Sequence, residues 1–526
     1  MYQALLVRKY LLSKIMPLLA AAAVLLCTTM VLVTWSVMGG FLNMLVSSGR
    51  TMSGDVIVTW PNVGFGHYDD LVRMLEADPL IAAAAPAIET YALLGLPNGR
   101  KEMVFVRGVE PASYARVTEY EKIQWWRPIQ KPVRKDSQRL DERLKPENQG
   151  VLERAIANSM TLSRRNEMTG EDEPAIVMGI EVSGLNSRTP EGFYNPRMYV
   201  RRDEKGNTKE INEFLPNSGS VVLSVLPLDA DARVIGEQAS MKLAVANEFH
   251  SGLYELDSKV VVAPLTTIQN MLRMDGAKAV TAKQPAGQGV GAGGAQEEDG
   301  FATDIGTQEK DVPARVTHVI VRGKADYGKL GTAEPLIARV QEVYSRFESA
   351  HKGKVPSTFD ITIQSWEDQN RTLITAVKKE TGLVLFLFSL ISLTAAFLVL
   401  AIFWSMIAEK TKDIGILRAL GASRWGVAGV WLAYGVGIGL VGASLGLLVG
   451  MAIIRNINPI HEWLGRALGL TIWDPKVYYF TEIPNALDVN KAIIVALGGI
   501  ACSVLGALIP SWRAAQMDPV RALRFE

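Results

Sequence analysis

Four stretches of this sequence are apolar, uncharged and long, and they limit what the chain can become more than any other feature. Crossing a hydrocarbon core of ~30 Å takes roughly 20 consecutive apolar residues in a helix. Residues 15–46 (IMPLLAAAAVLLCTTMVLVTWSVMGGFLNMLV), 381–408, 425–454 and 492–512 all satisfy that requirement. Cores of soluble proteins rarely need four such runs, so the pattern predicts an α-helical membrane protein with four transmembrane helices. The first run continues past its alanines through Trp35 and Phe41, longer than the ~7–15-residue core of a cleavable signal, and reads as an uncleaved anchor. Glycines in the third and fourth runs suit close helix packing.

Lys and Arg in short flanks give the orientation. Arg8, Lys9 and Lys14 precede the first run; Lys410, Lys412, Arg418 and Arg424 fill the connection 409–424; Arg513, Arg521 and Arg524 follow the fourth. Residues 1–14, 409–424 and 513–526 are therefore expected in the cytoplasm, and 47–380 and 455–491 outside. Arg455, Arg466 and Lys476 run against the rule but are spread through a longer, acid-balanced loop. A net charge of +1 and 48% hydrophobic residues exclude a disordered chain and a nucleic-acid binder held by bulk charge. The two cysteines, Cys27 and Cys502, fall inside predicted spans, so the outer segment owes nothing to disulfides.

The segment 47–380 is large enough for two lobes. Strand-like pieces recur at 54–60, 102–109, 220–226, 241–247, 258–264, 316–323 and 359–366, with helical patterns such as YDDLVRMLEADP between them, which predicts a mixed α/β domain. Residues 131–150, 185–213 and 283–311 read as insertions, the last as a disordered loop. It contains G-x-G-x-x-G at Gly289, Gly291 and Gly294, but no strand leads into it, which argues against a dinucleotide site.

Signatures of catalysis are absent from the sequence. His67, His250, His318, His351 and His461 lack metal-ligand spacing, and there is neither a G-x-S-x-G elbow nor a phosphate loop. His318, on a strand, reads as a satisfied structural residue. Trp125 and Trp126, beside Lys122 and Arg127, read as packing against a neighbouring lobe ahead of a binding patch or membrane anchor.

One span, a large outer domain and three further spans make a layout that resembles the MacB/FtsX/LolC–LolE superfamily of ABC transporter permeases. SVMGGF (36–41) looks like the end of the first helix of lipoprotein-releasing permeases. EKTKDIGILRALGAS (409–423) resembles the superfamily's cytoplasmic coupling segment, and IPSWRAAQMDPVRALRFE (509–526) is similar to the ending of the lipoprotein-releasing members. The resemblance implies a MacB-like periplasmic core domain and an inner-membrane permease with both termini cytoplasmic. It further implies extraction of lipoproteins and handover to a periplasmic carrier. A macrolide-type efflux permease and a non-transporting regulator of cell-wall hydrolases are the alternatives. The chain itself would be no enzyme and hold no cofactor. ATP would be bound by a separate ATPase subunit, with a second permease, identical or paralogous, completing the complex in the bilayer; no nucleic acid is involved. The connection 227–240 looks like the place where lipoprotein-releasing permeases carry the hook that engages the carrier, which makes Pro227, Asp229, Arg233, Val234 and Ile235 candidate carrier contacts; an ordinary surface hairpin is the other reading.

Within the coupling segment a charged first turn gives way to Ile414, Leu417 and Leu420 at i, i+3 and i+6. Ile416 lies off that stripe, and Gly421 is placed to end the helix. A helix lying on a membrane would show a cleaner apolar face, so docking in a protein groove fits better, with a solvated loop as the alternative. The expected contacts to the ATPase are Ile414, Leu417, Leu420 and Gly421, with Glu409, Lys410 and Arg418 at the rim.

Overall fold

A computed structural model describes residues 15–523 apart from 132–140, 167, 190–192, 203–207, 213, 228–232, 235–236, 283–306, 325–326, 328–331 and 470–481. The chain divides into two compact units, Met1–Leu45 with Asn370–Glu526, and Val46–Gln369.

Helices Ile15–Ser53, whose residues from Val46 on belong to the second unit, and Arg371–Glu409, Arg424–Arg455 and Val489–Ala515 of the first are long and apolar enough to cross a membrane. The first two have 39 residues each. At 1.5 Å per residue that is ~58 Å, about twice a hydrocarbon core, so each continues as helix beyond its apolar run. Residues 371–380, expected in the outer domain, are the polar start of the second helix, where Ile374 and Val377 are buried. The third helix carries a row of buried glycines. A Cβ on Gly442 or Gly446 would stand 2.8 Å from the carbonyl oxygens of Ala21 and Leu25 in the first helix, a backbone approach that only glycine permits. Thr29 Oγ1 donates to Gly446 O at 3.0 Å, and Ser503 Oγ of the fourth helix to Gly435 O at 2.8 Å. The segment 455–491, read as a loop, contains a helix, Ile457–Leu468, with Ile460, Trp463 and Leu468 exposed. It is the kind of helix that lies in a membrane interface.

The second unit is the expected α/β domain. Ten strands form its main sheet: β1 (Val56–Thr59), β2 (Ile81–Gly95), β3 (Lys101–Val109), β4 (Ser163–Arg165), β5 (Asp172–Gly179), β6 (Ser220–Val225), β7 (Ala239–Phe249), β8 (Val260–Pro264), β9 (His318–Gly323) and β10 (Thr362–Ser365). Their order is β6-β7-β5-β8-β3-β2-β9-β1-β10, with β4 on β5, and a pairing of β6 with β2 closes six strands into a ring. Helices α1 (Tyr68–Glu76) and α2 (Glu334–Ala350) pack their apolar faces, Leu71 and Leu75 with Leu336, Val340 and Phe347, into the core they share with this sheet.

All seven strand-like stretches are strands. The central β2 has no strand signature, because IAAAAPAIETYALLG is rich in alanine and holds Pro86, both unfavourable in strands. Pro86 lies in the half of β2 that pairs with β9, before the pairing with β3 begins at Ala87, where a missing N–H disturbs one ladder and not two. Trp125 and Trp126 are buried with Leu152, Ile180, Phe193 and Tyr194, as the packing reading required. Residues 185–213 hold two short hairpins, Asn186–Arg188 with Tyr194–Pro196 and Met198–Arg202 with Thr208–Asn212. The stretch read as disordered over 283–311 departs from that reading at its end, where Thr307–Val312 pairs as a strand with Ala277–Ala282. Its glycine pattern lies outside the described residues.

The C-terminal end of the first long helix is fixed within this domain. Met52 O accepts from Arg107 Nη1 at 2.5 Å and from the Tyr114 hydroxyl at 2.7 Å, and Thr51 O accepts from Glu119 N at 2.9 Å. Arg107 also pairs with Glu89, which His318 Nε2 approaches at 3.3 Å. Of the carbonyls that a helix end leaves without partners, Met52 O is thus taken up by the Tyr114 hydroxyl and the arginine of a buried ion pair, and Thr51 O by a backbone N–H. His318 is the structural residue its strand position suggested.

Candidate functional site

The connection between the second and third long helices is a helix, Thr411–Ala419, joined to its neighbours without slack. Lys410 alone interrupts the second helix; its N–H still reaches Met406 O and Ile407 O, and its ammonium pairs with Asp413 at 2.8 Å. Thr411 Oγ1 donates to Ile407 O and Ala408 O at 3.1 and 2.8 Å. At the far end, Gly421 N–H bonds Arg418 O and Ala422 N–H bonds Leu417 O, the paired closure of a Schellman motif. Gly421 has φ +95°, and nothing lies near its missing Cβ, so the glycine is required by the backbone and not by crowding. Two residues later Ser423 caps the third helix, its hydroxyl accepting from Gly426 N–H at 3.0 Å.

Side-chain placement divides the expected docking stripe. Ile414, expected on the outward stripe, is 2% exposed and packs with Ile407, Val427 and Ala514 of its own unit, so it seats the linking helix. Leu417 and Arg418 are half-buried, and Arg418 Nη1 donates to Ala422 O at 3.0 Å. Leu420 is 81% exposed and Ile416, set aside in the helical-wheel reading, is 49% exposed. The outward apolar surface is therefore Ile416 and Leu420, flanked by Leu417, with Glu409 and Lys410 at the start of the helix.

The linking helix also packs beside a short C-terminal helix, Pro519–Leu523, inside the stretch 509–526 that carries the resemblance but has no helix assigned to it from sequence. Between them, the end of the second helix and the end of the fourth lies a cavity of about 550 Å³ lined by Trp404, Thr411, Arg513, Asp518 and Arg521. Arg513 lies 4.5 Å over the Trp404 ring, and Trp425 and Trp512 meet edge to face at 5.8 Å. Tryptophans and arginines gathered at one end of apolar helices are the composition of a membrane interface. The basic tail after the fourth run was the available signal for this cluster.

In the α/β domain the hairpin of β6 and β7 is present, with Val225 opposite Ala239. Pro227 is buried and unavailable as a contact, whereas Arg233 and Val234 are exposed; Asp229 and Ile235 lie outside the described residues. Beside the hairpin, the outward face of the sheet is apolar. Tyr91 and Leu93 on β2, Met103 opposite Leu93 on β3, and Val222 on β6 are 40–73% exposed. A contiguous apolar face of this kind marks a binding surface.

Residues 385–519, which contain the linking helix, the third long helix and the second from residue 385 onward, match the FtsX-like permease C-terminal family. That stretch of the chain is thus similar to the C-terminal membrane part of FtsX-like permeases. Its likeness to the lipoprotein-releasing system transmembrane protein LolC of Xylella fastidiosa (strain Temecula1) runs over 499 residues at 23% identity, covering 95% of this chain and 91% of that protein. LolC of Neisseria meningitidis serogroup B is 28% identical over 166 residues, 32% of this chain and 40% of the relative. The macrolide export ATP-binding/permease protein MacB of Syntrophobacter fumaroxidans is 24% identical over 191 residues, 36% of this chain and 24% of that protein. The matched region includes the Schellman turn at Gly421 and the Ser423 cap.

Proposed function

We propose that this permease is a subunit of an ABC transporter that draws lipoproteins out of the inner membrane and passes them to a periplasmic carrier. The observation that carries the proposal is the extent of likeness: to a lipoprotein-releasing protein it spans 95% of the chain, and to a macrolide exporter 36%. The energetics require a partner. At ~0.8 kcal/mol per CH₂, freeing one acyl chain of about 15 carbons from lipid costs on the order of 12 kcal/mol. The sequence carries no phosphate loop, so that work would come from a separate cytoplasmic ATPase, with a second permease subunit completing the membrane part.

In this reading both termini and the linking helix face the cytoplasm. Ile416 and Leu420 enter the ATPase groove while Glu409, Lys410 and Arg418 hold its rim. The exposed Tyr91–Leu93–Met103–Val222 face, with Arg233 and Val234 beside it, meets the carrier or its cargo. Reconstitution into proteoliposomes with the ATPase and a fluorescent lipoprotein tests the proposal. ATP should move the label to a soluble carrier, and no movement, with macrolide-stimulated ATPase activity retained, would replace it with efflux.

A further inference from the structure

Three side chains that the sequence scatters are brought together at one point of the α/β domain. His67 precedes α1, Asp70 lies in its first turn, and His351 caps α2, 281 residues beyond Asp70. One ligand atom from each lies within 4.8 Å of the others, and all three residues are half-buried, open to an ion from solution. His351 Nε2 stands 3.1 Å from Asp70 Oδ2, and the rings of His67 and His351 are 4.7 Å apart.

Hydrogen bonding shows what this arrangement lacks. His351 Nδ1 faces Phe347 O at 3.2 Å, and a carbonyl only accepts, so Nδ1 carries the proton. In a neutral imidazole Nε2 then presents a lone pair to a carboxylate that also only accepts. A cation between them resolves the conflict. A proton on Nε2 would satisfy this pair alone, whereas a metal ion takes the lone pairs of all three groups. The Phe347 carbonyl is the outer contact that ligating histidines use to fix their tautomer. Arg73 binds Asp70 through Oδ1 and leaves Oδ2 facing His351. Lys354, near His67, is the other neighbouring cation. Ligands about 2.0–2.1 Å from a tetrahedral ion stand ~3.3 Å apart, close to the His351–Asp70 separation. His67 sits in the left-handed region, φ 58° and ψ 22°, which His, Asn and Asp enter more readily than other side chains.

We infer that His67, Asp70 and His351 form a binding site for a zinc-class divalent ion that ties the start of α1 to the end of α2. Two imidazoles, one carboxylate and no sulfur suit Zn²⁺, with a fourth position left to water or an exogenous ligand.

The test uses the full chain, purified in detergent without a polyhistidine tag, stripped with a chelator and titrated with ZnCl₂ by calorimetry. One ion per chain is expected, with affinity weakened at least about tenfold by His351→Gln and by His67→Asn. His67→Asn removes the ligand while suiting the left-handed backbone, and Asp70→Asn repeats the test without changing shape. Far-UV circular dichroism of each stripped variant establishes that it is folded. His461→Gln should bind as the parent does. No stoichiometric uptake by the parent, or unchanged uptake in folded His67→Asn and Asp70→Asn, would overturn the site.

Discussion

The linking helix has one residue that holds it in place and two that reach outward, and the two kinds respond differently to substitution. Full burial of a Leu or Ile side chain is worth ~1.5–3 kcal/mol. Scaled by the exposure of Leu420 (81%) and Ile416 (49%), covering both in a partner groove contributes roughly 2–4 kcal/mol. At 1.4 kcal/mol per decade, Ile416→Asp/Leu420→Asp should weaken binding of the ATPase about 30- to 700-fold, and more where the new carboxylates lose water. Ile414→Val should instead cost ~0.5–1.5 kcal/mol of stability through its packing on Ile407, Val427 and Ala514, and leave affinity within about threefold. Thermophoresis of labelled ATPase against the solubilised permease gives the affinities, and thermal denaturation gives the stabilities. Parental affinity in the double variant, or a larger loss in Ile414→Val, would refute the assignment of inner and outer faces.

Gly446→Ala should destabilise the membrane helices by ~1–3 kcal/mol, because its Cβ would meet Leu25 O at 2.8 Å; Gly429→Ala, with open space around it, should have no such effect in detergent melts. Glu248 is buried, and burial pushes its carboxyl from 4.5 up to about 7 against hydrogen bonds from Trp126, Asn186 and Ser183. A raised carboxyl favours the folded state fully below pH 4.5 and loses that contribution as pH rises through about 7. Glu248 should therefore remove on the order of 3 kcal/mol of relative stability between those limits, and melts of Glu248→Gln should show a flatter pH profile. Arg107→Met leaves Glu89 buried without its main partner and should cost about 3–5 kcal/mol in denaturant unfolding, much of it recovered by Glu89→Gln/Arg107→Met.

Features set by local pattern were legible before the structure. Apolar length marks the four long helices, alternation marks seven strands, and Gly421 marks a helix stop. What local pattern cannot supply is the identity of the neighbour. Ile414 and Leu420 share a stripe on a helical wheel, yet Ala514, some hundred positions along the chain, covers the first and leaves the second bare. For β2 the difficulty is compositional. Small alanines let its neighbours approach, but alanine carries no strand signature, and the pairings with β3, β6 and β9 that determine its conformation all come from outside the segment. The histidines fail for a third reason. His67 and His351 stand at opposite ends of the domain's sequence, and no spacing along the chain shows that the start of α1 meets the end of α2.

The proposed function requires joints that do not yield before work delivered at one side of the membrane reaches the other. The linking helix meets that requirement at both ends. A single residue, Lys410, separates it from the second long helix, and the Schellman closure leads within two residues to the Ser423 cap of the third. A longer loop would absorb a displacement by rotating its free dihedrals; here bonded backbone leaves few to rotate. The first long helix shows the same economy where it enters the α/β domain. Its terminal carbonyls at Thr51 and Met52 are bonded to Glu119, Tyr114 and Arg107, and Arg107 is itself held by Glu89 on β2, the strand shared by the ring and by β9. A buried ion pair is a poor source of net stability but a directional one, because any displacement that separates Arg107 from Glu89 exposes an unpaired charge to a low-dielectric interior. Movement of that helix end is therefore resisted locally and passed on to the sheet.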